Sequence, residues 1–232
     1  MNSRFTEILL DFVYLFFPRY CLGCSDALMK GEETICTNCM LEMAKTDDHL
    51  YQDNALYNRL SLQMPLVRAM ALFKFSKNGR VQQVLHQLKY KNHPEIGLML
   101  GRVYGERMIA GGLGQAFDLI LPVPLHPARQ RRRGYNQSAK FAEGLSEKLA
   151  VPFSDSTLQR GIKTETQTRK SKLDRLENMK GVFQVSRREG LAGKRILLVD
   201  DVVTTGATLE ACGQLLFQAG CSELSIACIA ET

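Results

Sequence analysis

The chain has 232 residues, 45% of them hydrophobic and 23% charged, with a formal net charge of +6. This length and apolar content exclude a disordered or fibrous chain and leave room for one sizeable core or a medium domain with a small one. The longest apolar stretch, Ile8 to Phe17, contains Asp11 and stops at Pro18, well short of the roughly 20 residues that a membrane-spanning helix needs.

Taken in chain order, that stretch reads as an amphipathic N-terminal helix lying against the core. A signal peptide does not fit, because Glu7 sits in its basic region, Asp11 interrupts its apolar region, and Pro18-Arg19-Tyr20-Cys21 is no small-residue cleavage site. An odd number of cysteines, seven, without an export signal predicts a reducing, cytoplasmic setting. Cys212, Cys221 and Cys228 lie in apolar surroundings and read as small core side chains. Cys21, Cys24, Cys36 and Cys39 form two CxxC pairs, each with the bite to place two thiolates on one tetrahedral ion. Gly23 and Asn38, inside the two pairs, suit the tight turns that aim backbone amides at sulfur. Four thiolates close the coordination shell, so the expected ion is a structural Zn²⁺; disulfides, a redox pair and an iron–sulfur cluster are the alternatives. A small polar module of this kind would take its folding energy from the metal.

A polar stretch including Asp47, Asp48, His49, Gln52, Asp53 and Asn54 marks a boundary, with a helix and cysteine module over 1–55 and a larger domain over 56–232. Beyond it, Val81, Val84, Leu85 and Leu88 recur at helical spacing. Leu119 to Pro124 reads as a buried strand. A basic loop follows, then a helix carrying Ala139, Ala142, Leu145 and Leu149 and closing near Pro152. Ile196 to Val199 is a second buried strand, Leu209 to Ala219 a helix stopped by Gly220, and Leu224 to Ala230 a third strand. Strands alternating with helices predict a mainly parallel α/β sheet, whose ligands sit at the carboxyl ends of strands, here after Val123 and Val199.

Charge is distributed unevenly. Residues 129–195 carry 17 Lys and Arg against 7 Asp and Glu, whereas the rest carries 13 against 17. Such a local excess predicts an anionic partner, either a polyphosphate ligand or a nucleic-acid backbone.

The most informative segment runs from Ile196 to Thr208: a hydrophobic strand, then Asp200 and Asp201, then Thr204, Thr205, Gly206, Ala207 and Thr208 opening a helix. The carboxylates can accept from sugar hydroxyls. The Thr/Gly turn offers hydroxyls and amide N–H groups to a phosphate. This segment resembles the signature of type I phosphoribosyltransferases. Together with the cysteine pairs, the Arg132-Arg133-Gly134-Tyr135-Asn136-Gln137 run, Leu158-Gln159-Arg160, Gln167, Arg175 and Asn178, it resembles the ComF competence-protein family, in which a zinc ribbon precedes a phosphoribosyltransferase domain.

The resemblance implies a fold of type I phosphoribosyltransferase type and 5-phosphoribosyl 1-pyrophosphate as ligand, bound with Mg²⁺. It makes Asp200 and Asp201 the partners of the ribose hydroxyls, directly or through Mg²⁺, and Thr204 to Thr208 the holders of the 5-phosphate. Arg133 and Asn136 fall in the place of the pyrophosphate loop. Arg160 opens a segment, reaching Arg175, that stands where a mobile lid covers the active site, and is counted with the two aspartates as catalytic. Transfer of the phosphoribosyl group passes through an oxocarbenium-like state, which calls for neutralised leaving-group charge and a sugar held at both ends, not for a nucleophile. His126 accordingly reads as a loop residue. The resemblance also implies an association with DNA uptake in natural transformation. Alternatives are a regulator that senses phosphoribosyl pyrophosphate, or a factor binding single-stranded DNA through Arg129, Arg131, Arg132 and Tyr135, with Phe73 and Phe75 as further stacking residues.

Overall fold

The computed structural model describes residues 16–161, 182–186 and 190–232. Its strands are β1 (Arg68–Lys74), β2 (Leu119–Pro122), β3 (Leu158–Arg160), β4 (Phe183–Val185), β5 (Arg195–Val203) and β6 (Glu223–Glu231). Its helices are α1 (Thr37–Glu42), α2 (Ala55–Ser61), α3 (Arg80–Tyr90), α4 (Pro94–Ala110), α5 (Pro127–Arg133), α6 (Gln137–Leu149) and α7 (Ala207–Gln218). Among the described residues, four strands form one sheet in the order β1-β6-β5-β2. All its neighbours are parallel, and β3 pairs antiparallel with β4 outside it.

The central strands are continuously apolar because both faces are covered. Leu197 and Val199 of β5 enter a cluster with Val84 and Leu88 of α3, Leu100 and Met108 of α4, and Phe141 and Leu145 of α6. Ile196 and Leu198 point the other way, into a cluster with Leu56 and Leu60 of α2, Leu158, Phe183, and Leu209 and Leu216 of α7. The first cluster also takes Cys21, Ile35, Cys36, Cys39 and Met43, so the cysteine module rests on the same core as the sheet edge. The chain behind α1 reinforces that join: the Lys74 amide donates to the Ala44 carbonyl at 2.8 Å, and the Thr46 amide to Leu72 at 3.1 Å.

On the first face, α4 and α6 approach almost backbone to backbone. Gly97, Gly101 and Gly105 form a stripe along α4. A Cβ at Gly97 would lie 2.9 Å from Lys140 Cβ, one at Gly105 2.7 Å from Lys148 Cβ, and one at Gly101 would collide with the Phe141 carbonyl oxygen.

Two features differ from expectation. The segment at Phe73 is strand β1, and Phe73 is fully buried, so it has no surface for a nucleobase; Phe75 is partly buried against the same core. The basic loop contains a short helix, α5, with Pro127 at its start and the His126 side chain accepting from the Ala128 amide at 3.2 Å. No helix among the described residues is long and apolar enough to cross a membrane. The expected N-terminal amphipathic helix lies almost wholly outside the described residues, as do Gln167, Arg175, Asn178 and nearly all of the expected lid.

The connections position the site. After β2 the chain turns to α6 on one face, and after β5 it turns to α7 on the other. Adjacent parallel strands whose exits diverge open a crevice between their carboxyl ends, the usual ligand position in such sheets.

Candidate functional site

The cysteine cluster is assembled as its spacing predicts. The four sulfurs of Cys21, Cys24, Cys36 and Cys39 all lie within 4.8 Å of one another. Cys21 to Cys39 is 3.8 Å and Cys24 to Cys36 3.7 Å. Thiolates about 2.3 Å from a common tetrahedral ion would be about 3.8 Å apart, so the donor set fits Zn²⁺. The amides of Gly23 and Cys36 donate to Cys21 Sγ at 3.3 and 3.2 Å, and the Cys39 amide to Cys36 Sγ at 3.4 Å. Burial raises the Cys21 thiol, but backbone N–H donors from Cys36, Cys24 and Gly23 outweigh it and bring the thiol down to about 7. Such N–H donors favour the thiolate, the form in which sulfur binds a metal.

In the crevice, β5 delivers Asp200 and Asp201 at its carboxyl end, both half-buried. Ser138, in the first turn of α6, donates its hydroxyl to Asp200 Oδ1 at 2.9 Å, and the Asp201 amide donates to the same oxygen at 2.8 Å. Lys89, near the end of α3, places Nζ 3.1 Å from Asp201 Oδ2. Burial, seconded by the charge of Asp201, pushes the Asp200 carboxyl up to about 7, against the pull of the Asp201 amide, Ser138 and Lys89. Asp200 and Asp201 offer carboxylate oxygens, the kind of ligand that Mg²⁺ takes.

Beyond Val203, Thr204 and Thr205 are exposed, Gly206 is buried, and Ala207 and Thr208 begin α7. Gly206 has φ +84°, and a Cβ there would collide with Leu60 Cδ2 of α2. Gln63 closes the same contact, its amide nitrogen donating to the Thr205 carbonyl at 3.1 Å. The turn is therefore braced from outside, with its threonines left free on the open side.

The opposite wall is the segment after β2. Asn136 caps α6, accepting from the Ser138 amide at 3.1 Å while its side-chain nitrogen donates to the Val123 carbonyl at 2.9 Å. It fixes the loop to the strand end. Arg133 donates to Gln137 Oε1 at 2.7 Å, and its Nε is buried without a partner among the described residues. Tyr135 is half-buried with its hydroxyl donating to the Leu88 carbonyl. Arg160, at the end of β3, stacks over the Phe183 ring at 5.1 Å and has a buried Nε lacking a partner among the described residues. Burial, then the charge of Arg129, depresses its guanidinium. Arg131 and Arg132 are exposed and line a separate cavity.

Three residues at this site carried no readable signal in sequence: Ser138, Lys89 and Gln63. Each acts through a partner 62 or more positions away in the chain, as with Ser138 and Asp200. Only the register of helices against strands brings them in.

Comparison with known proteins follows the same lines. Residues 136–232 match the model of the phosphoribosyl transferase domain family. The DNA utilization protein YhgH of Escherichia coli K12 is 30% identical over 216 residues, covering 91% of this chain and 90% of that one. Competence protein F of Haemophilus influenzae is 40% identical over 111 residues, covering 47% of this chain and 48% of the relative, so that match spans about half the relative's length. Among solved structures, the glutamine phosphoribosylpyrophosphate amidotransferase of B. subtilis overlaps 62% of this chain and 30% of its own, with a TM-score of 0.45 and 19% identity. The chain belongs to the family of competence protein F and DNA utilization protein YhgH, and joins a phosphoribosyltransferase-type parallel sheet to a four-cysteine cluster consistent with an N-terminal zinc ribbon.

Proposed function

We propose that the crevice binds 5-phosphoribosyl 1-pyrophosphate with Mg²⁺ and transfers its phosphoribosyl group to an acceptor. The observation that carries this reading is the Asp200–Asp201 pair at a strand end, beside a Thr/Gly turn that opens α7, at the point where exits diverge to opposite faces of the sheet. Thr204, Thr205 and Thr208, with the amides of Gly206 and Ala207, take the 5-phosphate. Asp200 and Asp201 take the ribose hydroxyls, Mg²⁺ supplying charge neutralisation for the diphosphate. Ser138 and the Asp201 amide orient Asp200, and Lys89 orients Asp201. Arg133 and Arg160, each with a buried Nε that has no partner among the described residues, meet the negative charge that grows on the leaving group. The sugar is then held at both ends while its C1 changes partner.

In this reading the chain divides into a 1–55 module held by Zn²⁺ and a 56–232 transferase domain, works in the cytoplasm, and is associated with DNA uptake. The names of its relatives, competence and DNA utilization proteins, support that association. Calorimetry with phosphoribosyl pyrophosphate and Mg²⁺ tests the site: Asp200→Asn with Asp201→Asn abolishes binding, and unchanged affinity would overturn the assignment. A pyrophosphate-release assay against a panel of nucleobases and DNA then reports whether transfer occurs.

A further inference from the structure

A second cavity, of about 530 Å³, lies between the end of α3 and the helix α5. Its lining is Lys89, Tyr90 and Asn92 on one side and Arg131, Arg132, Arg133 and Gly134 on the other. Four of these residues are cations and none is a carboxylate. Lys89 reaches Asp201 at 3.1 Å and Arg133 reaches the Gln137 amide oxygen at 2.7 Å, whereas Arg131 and Arg132 have no acidic partner among the described residues. A concave wall that gathers uncompensated guanidinium groups favours phosphate oxygens, which Arg can bind in a bidentate fork.

The cavity also contains an aromatic ring that is not part of the core. Tyr90 is 56% exposed, unlike Tyr135, whose hydroxyl is tied to Leu88. The Arg133 guanidinium lies over the Tyr90 ring at 5.1 Å from its centroid, and the His86 ring is 5.1 Å away, tilted at 46°. The ring is thus held in place by neighbours on α3 and α5 while much of its surface stays open. A fixed ring beside unpaired arginines meets both requirements of a nucleotide: a face for the base and charge for its phosphate.

We infer that this cavity is a nucleotide-unit site, with the base stacked on Tyr90 and the phosphate on Arg131 and Arg132, adjoining the Asp200–Thr208 crevice and sharing Lys89 and Arg133 with it. The unit is supplied either by a free mononucleotide or by a single strand of nucleic acid crossing the cavity. The inference does not depend on binding of phosphoribosyl pyrophosphate.

The test uses the full chain at about 50 mM salt, where phosphate contacts are weakly screened. Fluorescence anisotropy follows an oligothymidylate of about 12 nucleotides, a length within the reach of one such groove, and calorimetry follows thymidine 5′-monophosphate. Tyr90→Ala is expected to weaken binding roughly 5- to 150-fold, the worth of one stacked base, and Tyr90→Phe to restore it. Arg131→Ala with Arg132→Ala should make the salt slope of the oligomer shallower by about 1.4, two single-strand phosphate contacts. Asp200→Asn with Asp201→Asn should bind the probe at least as tightly as the parent, whatever becomes of phosphoribosyl pyrophosphate. A strand as the source shows the oligomer far tighter than the monophosphate; a free nucleotide shows the two alike. Failure of both probes to bind, or binding that survives Tyr90→Ala unchanged, would overturn the inference.

Discussion

The Ser138 hydroxyl donates to Asp200 Oδ1 at 2.9 Å, joining the first turn of α6 to the end of β5 across the mouth of the crevice. The bond spans a sequence separation of 62 residues and ties one wall of the site to the acidic pair on the other. Because Ser138 is buried, its removal leaves the carboxylate short of a donor that water does not readily replace. Ser138→Ala is expected to cost about 1–3 kcal/mol in urea denaturation at pH 8, where the acceptor is charged, and distinctly less at pH 5. An equal cost at both pH values would show that the bond does not act through the carboxylate.

Asp200 gives the folded protein a characteristic pH dependence. Burial and the neighbouring Asp201 hold its carboxyl at about 7, above the ordinary value of about 4. Between those values the unfolded chain has released the proton that the folded chain keeps, so stability is highest below the lower value, declines as pH rises through the interval, and levels off above about 7. In Asp200→Asn this component is absent. The difference between parent and variant, measured by denaturation from pH 4.5 to 8.5, should therefore change monotonically in favour of the variant as pH rises. A flat difference would mean that Asp200 titrates normally.

The strands through Ile196 and Leu224 are legible because burial on both faces leaves long apolar runs, and α3 is legible because Val81, Val84, Leu85 and Leu88 face one cluster. Strand β1 is not, since Arg68-Ala69-Met70-Ala71-Leu72-Phe73-Lys74 uses Met and Ala where β-branched residues would signal a strand. Helix α4 is hidden by Gly97, Gly101 and Gly105, which lower helix propensity but allow α6 to approach. In the site, Asp200, Asp201 and the threonine turn stand together in sequence. Tyr90 and Lys89, in contrast, belong to an unremarkable amphipathic helix and meet Arg133 and Asp201 only through packing.

Gly206 and Leu60 make the turn depend on α2. The glycine has φ +84°, which costs an L-residue about 1–2 kcal/mol, and its missing Cβ leaves the space that Leu60 Cδ2 fills. Gly206→Ala should destabilise the chain by about 2–4 kcal/mol, combining strain and overpacking. Leu60→Ala removes the collision but leaves a cavity of its own. In a double-mutant cycle the pair should therefore be less destabilised than the sum of the single variants, by at least about 1 kcal/mol. Strict additivity would place the strain in the backbone alone.

The cysteine cluster supports more than its own module, because Ile35, Cys36, Cys39 and Met43 share a core with Met70 and Leu72 of the edge strand. Purified protein should carry one zinc ion per chain by elemental analysis, and Cys39→Ser should carry far less. Structural zinc contributes about 10–16 kcal/mol to isolated zinc-finger peptides, so even a fraction of that lost by chelation should lower the melting temperature by more than about 10 °C in a chain of this size. The damage should be directional. The amides of Lys74 and Thr46, which bond to Ala44 and Leu72 across the join, should lose hydrogen-exchange protection first, while Leu197 to Val199 in the centre of the sheet stay protected. Chelation that removed the ion yet left Lys74 and Thr46 protected would show that the module and the sheet edge are held by packing alone.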